Sequence, residues 1–135
     1  MYVVKQLTPM SVPLINKFYQ QFSVRGRATK QDQCWVVKST EIIAGCRIQS
    51  KDDALLLSTV FVHPEYRSQG FAKSLLTSVL QSQNEVLYTF AYRKLDGFYR
   101  QLGFEYSPHL PHHLSVSFSN YIRQKRDIVA MCIYK

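Results

Sequence analysis

Residues 67–73 (Arg-Ser-Gln-Gly-Phe-Ala-Lys) set two cations around a glycine and small or polar side chains. An apolar, β-branched run, Leu55–Val62, and a His63-Pro64-Glu65-Tyr66 turn precede them. Leu75, Leu76, Val79 and Leu80 follow at helical spacing. A strand, a glycine-bearing turn and a helix start together suit an anion. The first N–H groups of a helix lack internal partners and carry partial positive charge. A pyrophosphate placed there gains several hydrogen bonds at once. Gly70 removes a side chain from its path, Ala72 keeps the next turn small, and Arg67 and Lys73 add charge. The same residues also fit a plain loop before an amphipathic helix. A P-loop is excluded, because no Gly-Lys-Ser/Thr follows. No ribose-binding acid follows at Rossmann spacing.

Other chemistry-bearing residues are scattered. His63, His109, His112 and His113 are candidate general bases, as is Glu105, and each also fits a solvated position. The spacing His-Leu-Pro-His-His lacks a carboxylate or cysteine pattern, so no metal is expected. Cys34, Cys46 and Cys132 lie in apolar, strand-like runs without ligand spacing and read as buried free thiols.

The positioning elements follow from periodicity. Residues 2–7 read as a strand. Thr8 suits an N-cap and Pro9 a first helical turn, with a helix to about Phe22. Residues 23–32 are polar and basic, a loop or a short second helix. Residues 33–38 and 42–49 form a hairpin across Ser39-Thr40-Glu41, and Lys51-Asp52-Asp53 turns into Leu55–Val62. The helix at 70–82 crosses to a strand at 85–91, which implies parallel pairing. A short helix at 93–102 ends at Gly103. A strand starts at Phe104, a helix runs from Pro111 to about Gln124, and 127–134 is a closing strand.

At 135 residues with 46% hydrophobic content, one folded domain over residues 1–135 is expected. No apolar run reaches membrane-spanning length, and Met1–Lys5 lacks a signal-peptide pattern, so the expected place is cytoplasmic. The net charge of +8 favours anionic partners: a phosphorylated cofactor, nucleic acid or an acidic protein surface. The excess is dispersed, which suits a solvated face equally well.

Two segments, Val62-His63-Pro64-Glu65-Tyr66-Arg67-Ser68-Gln69-Gly70-Phe71-Ala72 and Phe98-Tyr99-Arg100-Gln101-Leu102-Gly103-Phe104, stand in order and at a fitting separation. Together they resemble the two signature segments of the GCN5-related N-acetyltransferase (GNAT) family. The element order agrees over nearly the whole chain. The resemblance implies an α/β, single-domain acyl-CoA N-acyltransferase fold. Its central mixed, mostly antiparallel sheet is flanked by helices and splays into a V-shaped cleft. It implies that the backbone of Val60, Phe61 and Val62 bonds the pantetheine arm of acetyl-CoA. It further implies that Arg67, Ser68, Gln69, Gly70, Phe71, Ala72 and Lys73 hold the pyrophosphate.

The family's usual reaction is direct attack of a neutral amine on the acetyl carbonyl. The resemblance gives Val62 N–H the carbonyl and Tyr99 the leaving thiolate. A phenol with a pKa of about 10 is protonated at neutral pH and can donate. Tyr99 also fits a purely packing role. Two departures stand out: Tyr92 occupies a position where many members carry an asparagine, and Ser58 and Thr59 lie where some carry a glutamate. Arg93, Lys94 and Arg100 can reach CoA phosphates or simply face solvent.

The leading reading is an acetyl-CoA-dependent N-acetyltransferase acting on a primary amine: a small molecule, a protein or an aminoacyl-tRNA. Neither metal nor membrane is expected, and a homodimer is compatible with the reading. A non-catalytic acyl-CoA-binding regulatory module is the alternative. A nucleic-acid-binding protein is a third class, with no recognisable nucleic-acid motif behind it. Residues 23–32 and 107–121 are the segments expected to select the acceptor.

Overall fold

The computed structural model describes residues 1–51, 54–107 and 109–134. Asp52 and Asp53 of the expected turn, and Pro108 of the histidine-bearing segment, lie outside the described residues. The strands are β1 (Val3–Gln6), β2 (Gln33–Lys38), β3 (Ile42–Lys51), β4 (Ala54–Val62), β5 (Leu87–Tyr92), β6 (Glu105–Tyr106) and β7 (Ile128–Ile133). The helices are α1 (Val12–Gln21), α2 (Phe71–Ser82), α3 (Asp96–Gln101) and α4 (His112–Arg123), with 3-10 turns at Pro9–Ser11, Pro64–Tyr66 and Arg93–Leu95. One seven-stranded sheet runs in the order β1-β2-β3-β4-β5-β7-β6. It is mixed: β4 and β5 pair in parallel, whereas β1/β2, β2/β3, β5/β7 and β6/β7 are antiparallel. This is the α/β class expected, and β1 does join the sheet.

By internal contacts the chain forms two compact units, Met1–Gln49 with Ser58–Ser82, and Ser50–Leu57 with Gln83–Lys135. In the first unit, α1 presents Val12, Ile15, Phe18 and Tyr19 to Cys34 and Val36 of β2. Strand alternation leaves Trp35 and Val37 for the other face. There α2 buries Leu75, Leu76, Val79 and Leu80. Each buried Leu- or Phe-sized side chain removes enough apolar area to contribute about 1.5–3 kcal/mol. The entry to α1 departs from the expected cap. Thr8 makes no side-chain bond to the backbone; its hydroxyl meets that of Ser11 at 3.3 Å. Pro9 and Pro13 both lack an N–H, so the chain first makes a 3-10 turn and then starts the α-helix beside the second proline.

In the second unit, Leu114 of α4 is fully buried with Ala54 and Leu56, and Tyr88, Phe90 and Leu110 pack beside them. Phe90 also meets the Phe118 and Tyr121 rings of the same helix. The parallel ladder runs Leu55↔Leu87, Leu56↔Tyr88 and Leu57↔Thr89. Thr89 Oγ1 donates to Leu57 O at 3.0 Å where that ladder ends. All three cysteines are free and buried, as their apolar contexts suggested.

Candidate active site

Residues 58–82, the end of β4 through α2, lie within the first unit. β4 contains a residue that sequence periodicity does not foretell: Thr59 has φ +56°, in the left-handed region. A β-branched residue there is a conformational outlier. Its carbonyl accepts from Tyr19 Oη at 2.7 Å, and its Oγ1 accepts from Arg47 Nε at 3.0 Å. Val60, Phe61 and Val62, the expected pantetheine-binding backbone, follow directly. Phe61 turns its ring to Phe18 and Phe22 of the core, at 5.8 and 5.5 Å between centroids. His63 N donates to Ile43 O at 2.7 Å and so fixes the strand end.

The turn that follows is built for sharp reversals. Ser68 has φ +64° and Gly70 φ +84°. Successive N–H groups in a turn that includes left-handed residues can point to one side, the backbone shape of an anion-binding concavity. Ser74 N donates to Gly70 O at 3.0 Å, so α2 is hydrogen-bonded from Gly70 onward. The N–H groups of Phe71, Ala72 and Lys73 fall in the first turn, where a helix has no partners for them. A Cβ on Gly70 would meet nothing within 4 Å. The space over the turn is open, and glycine is needed there for its φ. Gln69, Gly70 and Lys73 are exposed, and Phe71 and Ala72 half-buried. Arg67 folds back: its Nε donates to Val62 O at 3.2 Å and its guanidinium lies over the Phe61 ring at 5.2 Å. It therefore ties the turn to the strand as well as charging it.

Tyr99 lies on α3 in the second unit and is 6% exposed. Its ring stands edge-on to Phe98 and Phe104, at 5.2 and 5.5 Å. The peptide closes around it: Leu102 N and Phe104 N both donate to Tyr99 O. Gly103 makes that closure with φ +108°, and a Cβ would come within 2.9 Å of Ile133 Cδ1. The glycine of this second segment is thus required by its conformation, since the Ile133 terminal methyl can move aside.

The candidate bases divide. His63 Nδ1 accepts from Glu65 N at 3.1 Å, capping the 3-10 turn with that nitrogen. Its ring packs against Phe22 and Tyr66 at 4.7 and 5.2 Å. Ser58 Oγ donates to Gln49 Oε1 at 3.1 Å. His109, His112, His113 and Glu105 are exposed, and the last two histidines sit in the first turn of α4. Among the described residues, no group of three His, Cys, Asp or Glu side chains is placed to hold a metal. Tyr92 ends β5 and is 55% exposed. Arg93 pairs with Asp127 at 2.9 Å in the open, and Arg100 lies over the Tyr106 ring at 5.6 Å. The Tyr106 hydroxyl bonds Asp96, and that bond raises its pKa above the ordinary phenol value.

A cluster that sequence reading missed surrounds Thr59. Arg47 donates to Arg27 O at 2.8 Å and pairs with Asp32 Oδ2 at 3.2 Å, with side chains only 11% and 8% exposed. The signal was present: one arginine inside the apolar run Ile42–Gln49 needs a partner if that strand is buried.

A family model described as acetyltransferase (GNAT) domain matches residues 30–106, more than half of the chain. The chain belongs to the GNAT acetyltransferase family. Solved GNAT-type structures share the fold at low identity. An acetyltransferase of the GNAT family from Staphylococcus aureus aligns with TM-score 0.65 and 16% identity, covering 99% of both chains. A Mycobacterium tuberculosis protein solved with CoA aligns with TM-score 0.71 and 14% identity, over 98% of this chain and 99% of that one. N-acetylglutamate synthase from Neisseria gonorrhoeae, complexed with coenzyme A and N-acetyl-glutamate, aligns with TM-score 0.67 and 13% identity. The match covers 98% of this chain but 35% of the synthase, so this GNAT chain spans about a third of that enzyme. A comparison by sequence with curated proteins finds no match. Among the described residues, no helix is long and apolar enough to cross a membrane.

Proposed function

We propose that this GNAT protein transfers the acetyl group of acetyl-CoA to a primary amine by direct attack, with both units acting as one N-acetyltransferase domain. The observation that carries the reading is the geometry from Thr59 to Lys73. A strand leaves a left-handed kink, and a turn with positive φ at Ser68 and Gly70 then delivers it into the N-terminus of α2. In this reading Val60–Val62 align the pantetheine arm, and residues 67–73 hold the pyrophosphate of CoA.

The reaction needs three proton and charge movements. The neutral amine nitrogen attacks the thioester carbon, and a strand N–H, assigned to Val62, stabilises the developing oxyanion. The C–S bond breaks, and Tyr99 gives its phenolic proton to the departing thiolate. The extra proton on the attacking nitrogen leaves to solvent. A solvent route is favoured over His63 because Nδ1 of that ring already caps a turn. The family assignment and the matched second segment support Tyr99 in this role.

The acceptor is read from charge. The first unit holds nine Lys and Arg against three Asp and Glu, the second eight against six. Arg25, Arg27 and Lys30 are exposed on the 23–32 segment of the first unit. Such a surface favours an amine that also carries an acid and repels polyamines. The Neisseria synthase was solved with an acetylated acidic amine, which makes acidic amino acids the natural first members of a test panel.

Acetyl-CoA is mixed with amino acids, phosphorylated amines, peptides and polyamines, and free thiol is followed. Amine-dependent thiol release is the expected result. Tight CoA binding without release for any amine would instead support the regulatory module. That second reading draws on the engaged hydroxyls of Ser58 and Thr59 and the cap role of His63, which leave no obvious base beside the strand.

A further inference from the structure

Four non-glycine residues among those described have positive φ: Ser23, Thr59, Ser68 and Lys125. Three sit in turns; Thr59 alone sits inside a strand. Left-handed backbone is costly for any residue with a Cβ, and a branched Cβ makes it worse. It persists only where the surroundings over-determine it. Two side chains do so here, from two different elements. Tyr19 of α1 holds the carbonyl at 2.7 Å, and Arg47 of β3 holds Oγ1 at 3.0 Å.

Arg47 is itself fixed on its far side. It pairs with Asp32 and donates to Arg27 O. The loop that supplies these partners is pinned in turn by Asn16, which donates to Ala28 O at 2.9 Å and accepts from Ala28 N at 2.8 Å. The loop passes so close that a Cβ at Gly26 would meet Arg47 Nη2 at 3.0 Å and Thr59 Oγ1 at 3.2 Å. A chain of directional bonds therefore runs from α1 through the loop and Arg47 to one backbone position.

We propose that Arg47 is a positioning residue of the acyl-donor strand: by holding Thr59 left-handed, it sets the direction in which the N–H groups of Val60–Val62 point. The inference rests on the assignment of those groups to the acyl donor. Arg47 is largely buried and engaged by its own partners, so its effect passes through the Thr59 backbone.

Glycine supplies the test, because it adopts positive φ unaided. Arg47→Met keeps the stem and removes the donors. In the native background it should lower kcat at least tenfold and weaken CoA binding by a smaller factor, because the pantetheine arm loses aligned N–H groups while the turn at 67–73 is untouched. In the Thr59→Gly background the same substitution should cost less than threefold in kcat. An equal loss in both backgrounds would mean that Arg47 serves only to hold the loop, and would overturn the proposal. Thr59→Val keeps the branched Cβ, replaces the acceptor Oγ1 with a methyl, and leaves Asp32 and the Arg27 carbonyl in place as partners for Arg47. It should reproduce the kcat loss, and native kcat in that variant would overturn the proposal even if Arg47→Met fails to fold. The amide signals of Val60–Val62 are followed by NMR in the same variants. If no amine supports turnover in the native protein, the transferase reading fails by itself. Displaced Val60–Val62 signals in Thr59→Val would then still support the positioning role, and unmoved signals would overturn it.

Discussion

Arg67 donates to the carbonyl of Val62 from five residues downstream, at 3.2 Å, while its guanidinium covers the Phe61 ring. The turn that suits a pyrophosphate is thus bracketed to the strand that suits a pantetheine arm. A guanidinium engaged by a carbonyl and a ring still carries its full charge. Position and charge can be separated by substitution.

Arg67→Lys keeps the charge and loses the planar donor, whereas Arg67→Met loses both. Arg67→Met should weaken CoA binding by about 3- to 10-fold, the scale of one exposed charge at close range. Arg67→Lys should recover most of that at low salt. Calorimetry of CoA binding at two ionic strengths is the measurement. Equal losses for both variants at every salt concentration would show that only the bracket matters.

Gly70 invites a sharper comparison. An added Cβ meets nothing, yet φ is +84°. Gly70→Ala should therefore cost about 1–2 kcal/mol of stability from backbone strain alone. Gly70→Glu adds a negative charge at a turn assigned to an anion. Urea unfolding should not separate the two variants by more than about 0.5 kcal/mol, since exposed substitutions away from special features change little. CoA affinity should separate them by at least tenfold. Equal affinities would remove the pyrophosphate from this turn.

Much of this was legible in the sequence, and the part that was not has a common cause. Hydrophobic period and turn chemistry located β4, α2, β5 and the Gly103 stop because each is a local property. The strand at 127–134 and the hairpin at 33–49 were equally local. The α1 entry misled because two prolines, Pro9 and Pro13, competed to start one helix. Thr59 was invisible for a different reason. Its conformation is imposed by Tyr19, 40 residues earlier, and Arg47, 12 residues earlier. No window short enough to show periodicity contains all three. Arg47 itself was visible as a misplaced charge, but its partners, Asp32 and the Arg27 carbonyl, emerge only once the loop is folded.

The Tyr99 hydroxyl can be tested without disturbing the packing of its ring. Tyr99→Phe removes one oxygen and preserves the edge contacts to Phe98 and Phe104. Thermal unfolding should stay close to native. Turnover should fall by about 10- to 100-fold, the lower end of general-acid contributions, because a thiolate is already a fair leaving group. A more acidic thiol leaving group should shrink the deficit. Native turnover in the variant would return Tyr99 to a packing role.

Alkaline pH should expose the buried hydroxyl and thiol. Burial pushes the Tyr19 phenol well above its ordinary value, and burial with the nearby Asp32 charge pushes Cys34 up to about 11. Both groups are neutral when protonated, so the folded state keeps its protons longer than the unfolded chain does. Below pH 9 the two states bind protons equally at Cys34, and its stabilising effect is complete. From pH 9 to 11 the unfolded chain releases the thiol proton first, and stability falls. Above about pH 10 unfolded tyrosine ionises as well, and Tyr19 steepens the fall. Urea midpoints should therefore drop between pH 8.5 and 10.5, with Cys34→Ala reducing the first part of the slope and the Cys46 thiol, which burial also pushes up, keeping the remainder. A flat profile would mean that Cys34 titrates as freely in the fold as out of it.

The charge of the acceptor gives the most discriminating experiment on substrate choice. Arg25, Arg27 and Lys30 project from a segment whose backbone is held at Ala28 by Asn16 and at Arg27 O by Arg47. Ordered backbone keeps exposed charges in a narrower region, so replacing side chains there changes the field without moving the loop. The double variant Arg25→Ser/Arg27→Ser keeps the Arg27 carbonyl and hence the bond from Arg47. Two charges acting through water near an anionic acceptor contribute about 1 kcal/mol each at contact and less beyond it. The expected loss in kcat/KM is about 5- to 20-fold for an acidic amine at low salt, and less than twofold for a neutral amine of the same size. Raising the salt to about 0.5 M shrinks the Debye length to a few ångströms and should erase most of the difference. A neutral amine that suffers as much as the acidic one would show that these arginines act on the acyl donor or on the fold. A polyamine that outcompetes both in the native protein would overturn the acidic-acceptor assignment.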